Sequence, residues 1–253
     1  MKTIGMDGII ELQKLVAVYE KSEMQGMRMI ELLDISFSYG RKKILNNLNI
    51  TARAGECVVL AGANGSGKST ALSIMAGVLR PDSGMVQVKG SVGFAPQGTA
   101  LFEDMTVMDN LHFFAGLKKC AVPEKLPFGV ERYGKTRVSK LSGGMKKQVS
   151  IACALLGDPQ VLLLDEPCAA LDVQYRQELV QLILEKKSQG CAIVYVGHEP
   201  LEFSAFYDKI VLFGDGYKEY TRQELSPDSD DLQFYNTFYK LFQLREEKQN
   251  ERE

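Results

Sequence analysis

The residues Gly62-Ala63-Asn64-Gly65-Ser66-Gly67-Lys68-Ser69-Thr70 carry the spacing G-x-x-x-x-G-K-S. Glycines accept left-handed backbone angles and leave no Cβ in the way of an anion, so such a loop can wrap a phosphate. Its N–H groups, and the N-terminus of a helix that follows, then face the β-phosphate. Lys68 supplies a point charge between the β- and γ-phosphates, and the Ser69 hydroxyl a ligand for Mg²⁺. An ordinary glycine-rich turn is the plainer reading, and the flanks disfavour it. Cys57-Val58-Val59-Leu60-Ala61 before the loop reads as a buried strand, and residues 71–76 after it read as a helix. That is the strand–loop–helix setting the chemistry requires.

Two further stretches carry related chemistry. Val161-Leu162-Leu163-Leu164-Asp165-Glu166-Pro167 is an apolar strand that ends in two carboxylates. The carboxyl ends of parallel strands face the ligand crevice of an open sheet. Asp165 would then sit near the Mg²⁺ held by Ser69, and Glu166 can polarise a water aimed at the γ-phosphate. Solvated acids at a strand end are the alternative, and the phosphate loop argues against it. Leu141-Ser142-Gly143-Gly144-Met145 precedes a helix-like run over 146–156. Ser142 and its glycines would form a second anion-binding helix end, although plain capping fits the local pattern as well.

These groups meet only if a sheet brings them together. Residues 30–37 and 48–52 read as strands, with others near 84–88, 91–95, 161–164 and 191–196 and helices between them. That alternation predicts an α/β fold with a largely parallel sheet and helices on both faces. Residues 106–137 mix aromatics, prolines and charges and read as part of a small, mostly helical lobe spanning about 104–157. After Pro227 a charged helix ending Arg245-Glu246-Glu247-Lys248 is expected over about 228–253, most simply as a solvated final helix. Residues 1–29 stand apart. Ile9, Leu12, Val16 and Tyr19 fall at helical spacing. A passive leader is expected there; a helix that docks on a partner or on its own dimer mate is the other reading.

The 253 residues are 45% hydrophobic and 25% charged, which is ordinary for a globular protein. The net charge of −2 gives no general pull towards nucleic acid, and no direct nucleic-acid binding is expected. The five cysteines form no C-x-x-C pair, so a reducing, cytoplasmic setting is expected. No apolar run is long enough to span a membrane. Asp7 and Glu11 interrupt the apolar stretch that a signal peptide needs.

Taken in order, the motifs resemble those of the nucleotide-binding subunit of an ABC (ATP-binding cassette) transporter, over about residues 30–220. Walker A matches at 62–70, the signature at 141–145 and Walker B at 161–166. Gln97, in Gly93-Phe94-Ala95-Pro96-Gln97, is similar to the Q-loop glutamine. Ala170-Leu171-Asp172 is similar to the D-loop, His198 to the switch histidine and Tyr39 to the adenine-stacking aromatic.

The resemblance implies a P-loop NTPase fold of the ABC type, with antiparallel strands near the N-terminus and an inserted helical lobe. It implies ATP and Mg²⁺ as ligands. ATP would be bound by Tyr39, Gly62, Asn64, Gly65, Ser66, Gly67, Lys68, Ser69, Thr70 and Gln97, with Asp172 and with Ser142, Gly143 and Gly144 of the partner subunit. Mg²⁺ would be held by Ser69, Gln97 and Asp165, and catalysis carried by Glu166, His198 and Lys68. It further implies a head-to-tail homodimer, or pairing with a paralogous ATPase subunit, on the cytoplasmic face of separate integral-membrane permease subunits.

Met145 stands where the commonest signature has glutamine. Ser-Gly-Gly-Met-Lys, together with the stretches at 101–107 and 110–115, resembles the ABC-2 exporter branch and implies ATP hydrolysis coupled to export. A soluble single-cassette ATPase that acts on a protein assembly or nucleic acid is the rival reading. Cys168, just after Walker B, is expected near the dimer face and sensitive to thiol reagents.

Overall fold

Alternating apolar residues build the first layer. In the computed structural model, described for residues 26–169, 171–226 and 231–250, β1 (Arg28–Tyr39) and β2 (Lys42–Arg53) form an antiparallel pair. β3 (Cys57–Gly62) runs into the phosphate loop, which opens α1 (Lys68–Met75). β4 (Ser83–Val88) returns to the other edge of β1, giving a three-stranded sheet in the order β2-β1-β4. The expected helix around Ile9 to Tyr19, Ala170, Pro227 and residues 251–253 lie outside the described residues.

β5 (Val92–Ala95), β6 (Val161–Asp165), β7 (Ala192–Val196), β8 (Lys209–Gly214) and β9 (Gly216–Thr221) join β3 in a six-stranded sheet. Its order is β5-β6-β7-β3-β8-β9, parallel except for β9 at the edge. Every residue of β3, β6 and β7 is buried, as expected where both faces of a parallel sheet are covered. Successive side chains serve opposite cores. Val58, Leu60, Val161 and Leu163 pack towards the antiparallel sheet and α1. Val59, Ala61, Leu162 and Leu164 pack towards the other face.

That other face is covered by the lobe and the remaining helices. The lobe is less helical than its sequence predicts. α2 (Val107–Leu117) starts at a capping box between Thr106 and Asp109. Two short 3₁₀ segments follow, Pro127–Tyr133 and Val138–Lys140, and then α3 (Gly143–Leu155). Phe128 at φ 61° and Gly129 at φ 60° break the first 3₁₀ segment directly after Pro127.

α4 (Val173–Ser188), α5 (Pro200–Phe203) and α6 (Arg222–Leu225) lead to α7 (Asp231–Asn250). The expectation of a wholly solvated final helix is corrected here. Phe234 and Phe238, one turn apart, are each 1% exposed and pack against Phe203. The charged end of the helix follows this apolar stripe.

Candidate functional site

The phosphate loop needs glycine where its sequence supplies it. Gly62 sits at φ 147°, and a Cβ there would lie 2.5 Å from the Phe213 carbonyl oxygen. Gly67 sits at φ 101°, and a Cβ would lie 2.6 Å from Leu45 Cδ2. The loop folds back on Lys68, whose Nζ donates to the carbonyls of Gly62 and Ala63, each at 2.8 Å. Lys68 is buried. That burial pushes its pKa down, while Glu166 and Asp165 nearby hold it up. An ammonium group is thus stored at the mouth of the loop.

Neighbouring strand ends supply the rest, because β5, β6 and β7 lie side by side. Glu166 follows β6 in a left-handed conformation, φ 46°, with its N–H donating to the Val196 carbonyl at 3.1 Å. Its carboxylate is held at both oxygens. Gln97 Nε2, just past β5, donates to Oε2 at 3.0 Å. His198 Nε2, just past β7, lies 2.9 Å from Oε1. Asp165 is buried, and its Oδ1 has no hydrogen-bond partner. Burial raises its pKa, and the Ser69 hydroxyl beside it opposes that rise.

Tyr39, Asn64, Gly65, Gly67, Lys68, Ser69, Thr70, Gln97, Glu166 and His198 line one cleft of about 650 Å³. Lys42 and Ile44 of β2 complete it, and the sequence did not single them out. Tyr39 is 55% exposed at its rim. Ser66 turns a buried hydroxyl with no partner into the loop. The remaining candidates do not line the cleft. Ser142, at the exposed start of α3, accepts a hydrogen bond from the Met145 N–H at 3.2 Å, and Gly143 and Gly144 follow it. Asp172 caps α4, accepting from the Tyr175 N–H at 3.1 Å.

The structure adds Lys147, on α3 one turn beyond Gly143. Its buried Nζ donates to the carbonyls of Pro96 at 2.9 Å, Gln97 at 3.2 Å and Asp165 at 2.9 Å. One cation therefore ties the signature helix to both the Gln97 segment and the end of β6. Its only sequence signal is its position at the apolar period of α3, four residues before the buried Ile151.

Cys168 corrects the expectation of thiol sensitivity. It is buried, its Sγ is 3.3 Å from the Tyr195 hydroxyl, and burial pushes its pKa up to about 11. Cys153 and Cys191 are pushed up to about 12, and Cys57 still further. A thiol held protonated by burial reacts slowly, because the thiolate is the nucleophile. Cys120 is the half-buried cysteine of the set. Brief iodoacetamide treatment should therefore add one label per folded chain, at Cys120, by peptide mass. A comparable rate at Cys168 counts against its burial.

Residues 45–169 match the family model described as ABC transporter. The Nod factor export ATP-binding protein I of Rhizobium sp. strain N33 is 33% identical over 209 residues, 75% of this chain and 69% of that protein. The spermidine/putrescine import ATP-binding protein PotA of Pasteurella multocida is 31% identical over 217 residues, 78% of this chain and 59% of that protein. Among solved structures, an ATP-binding subunit of an ABC transporter aligns with a TM-score of 0.73 at 24% identity, covering 84% of this chain and 99% of that one. This last likeness speaks for the fold, and the sequence relatives speak for kinship. The chain belongs to the ATP-binding subunits of ABC transporters and carries their ABC ATPase domain.

Proposed function

We propose that this chain powers export by hydrolysing Mg-ATP at a site completed by a second ATPase subunit, and that it acts on separate integral-membrane permease subunits. The observation that carries the catalytic part is Glu166, gripped by Gln97 and His198 at the edge of a cleft that also holds Lys68. In this reading the Tyr39 ring stacks on the adenine, as an exposed aromatic face suits. The loop N–H groups and Lys68 take the phosphates. Glu166 draws the proton from the attacking water, and His198 fixes both Glu166 and the γ-phosphate. Residues 30–253 form the catalytic unit, with residues 104–157 as its lobe.

Mg²⁺ fits the residues present. Asp165 offers a buried oxygen with no partner beside the Ser69 hydroxyl, and both are hard oxygen donors. When bound, Mg²⁺ offsets charge on the β- and γ-phosphates. Gln97 is the third candidate ligand, and its side-chain amide is turned towards Glu166.

The exposed N-terminus of α3 supports sharing between subunits. Ser142 and its glycines present a helix end outside their own cleft, as needed to close a partner's site. An exposed aromatic patch supports a membrane partner. Phe102 is 45% exposed, Phe113 41% and Leu117 66%, and the rings of Phe102 and Phe113 pack 4.8 Å apart. No helix among the described residues is long and apolar enough to cross a membrane. Export is favoured by Ser142-Gly143-Gly144-Met145-Lys146, read as the exporter form of the signature. The test is a Phe102→Ser/Phe113→Ser variant in the source cells. It should lose its place in the membrane fraction while the purified chain keeps its ATP turnover. Unchanged co-sedimentation with membranes counts against this surface.

A further inference from the structure

We infer that the C-terminal helix positions the switch segment: Tyr235 and Tyr239 of α7 hold Glu199, and through it keep His198 on Glu166. The inference rests on the reading of His198 as the group that fixes Glu166 and the γ-phosphate. Glu199 follows His198 directly and stands at the N-cap of α5, yet its side chain does not cap that helix. Its carboxylate accepts instead from α7. The Tyr235 hydroxyl donates to Oε2 at 3.3 Å and the Tyr239 hydroxyl to Oε1 at 3.2 Å. The two tyrosines lie one helical turn apart, with ring centroids 4.9 Å apart.

The far end of α5 is held by the same helix. Phe203 closes α5, and its ring packs on Phe238 at 5.7 Å and Phe234 at 6.2 Å. Both ends of the short helix that carries the chain away from His198 are therefore fixed by α7. The other side of His198 is Gly197, a residue with intrinsic backbone freedom. His198 Nε2 must stay within hydrogen-bond reach of Glu166, now at 2.9 Å, and a shift of about 1 Å at such a contact is costly for catalysis. A restraint from outside the strand–loop junction meets that need. Tyr235 and Tyr239 do not line the cleft around Lys68 and Glu166, so they are positioning residues.

The test uses the full chain and four variants: Tyr235→Phe/Tyr239→Phe, Glu199→Ala, His198→Ala, and the double phenylalanine change in the His198→Ala background. Phenylalanine keeps the ring packing and removes only the two hydroxyls, which bond Glu199 and each other, and Glu199 is an exposed side chain whose removal disturbs no core. Each of the first two variants should lower kcat about threefold to tenfold, with KM within about twofold and the melting temperature unchanged. In the His198→Ala background the tyrosine changes should add no further loss. Wild-type turnover in both clamp variants, with His198→Ala reduced to a low residual rate, overturns the clamp and leaves the reading of His198 standing. A tyrosine effect that persists in full without His198 also overturns it, because α7 would then act elsewhere. Wild-type turnover in His198→Ala removes the reading of His198 and the clamp together.

Discussion

Glu166→Gln should cut ATP turnover by about 10²- to 10⁴-fold while leaving ATP binding intact, because it removes a positioned base and little else. The two bonds to the carboxylate, from Gln97 Nε2 at 3.0 Å and His198 Nε2 at 2.9 Å, fix its orientation. An amide is nearly isosteric and can keep one acceptor oxygen in place, but it cannot take a proton from water. The left-handed backbone at Glu166 strains both side chains alike, so the fold should be unaffected. If two copies share each nucleotide through the N-terminus of α3, blocked hydrolysis traps the closed pair. Size-exclusion chromatography of Glu166→Gln with Mg-ATP should then show a dimer, and the same sample without nucleotide a monomer. A variant that binds ATP, fails to hydrolyse it and elutes only as a monomer counts against the shared site. A variant with wild-type turnover removes Glu166 from the base role.

Signals written in local geometry were legible in the chain. The phosphate loop is a contiguous string whose glycines, lysine and serine each answer to a nearby backbone angle or atom, and β3, β6 and β7 are unbroken apolar runs. The triangle of Gln97, Glu166 and His198 is different in kind. Its members close only because β5, β6 and β7 are adjacent, and neither periodicity nor composition carries strand order. The resemblance to a known family picked out the three residues by motif, without the strand order that joins them. Lys147 was missed because its three carbonyl partners lie on distant segments, and its place at the apolar period of α3 is too weak a signal alone to mark a buried lysine. The β8–β9 hairpin did leave a trace. Gly214-Asp215-Gly216 marks a tight turn between two runs of strand character, and Gly214 pairs with Gly216 across Asp215. In α7 the conspicuous charges near its end masked the Phe234/Phe238 stripe that docks the helix.

Lys68→Ala should weaken ATP binding about 10- to 100-fold for each phosphate contact it removes, the value of a hydrogen bond between charged groups. Lys68 Nζ is already gathered by the Gly62 and Ala63 carbonyls at 2.8 Å, so little side-chain ordering remains to be done when a phosphate arrives. The loop's shape depends on Gly62 and Gly67, whose neighbours leave no room for a Cβ, and alanine at 68 leaves both untouched. The variant should therefore fold and fail to respond to ligand. At a Mg-ATP concentration of about a hundred times the wild-type Kd, the wild type gains about 2.7 kcal/mol of stability, and a hundredfold weaker binder gains about 0.4 kcal/mol. Thermal unfolding with and without Mg-ATP reads that difference directly. The pH dependence has a definite sign. Burial lowers the Lys68 pKa from its ordinary value, so the resting chain loses this charge earlier than an exposed lysine would as pH rises. Wild-type affinity for ATP should fall on the alkaline side, starting below the usual lysine range, and the affinity of Lys68→Ala should stay flat there. Unchanged affinity in the variant, or an equally steep alkaline fall, would remove Lys68 from the phosphate site.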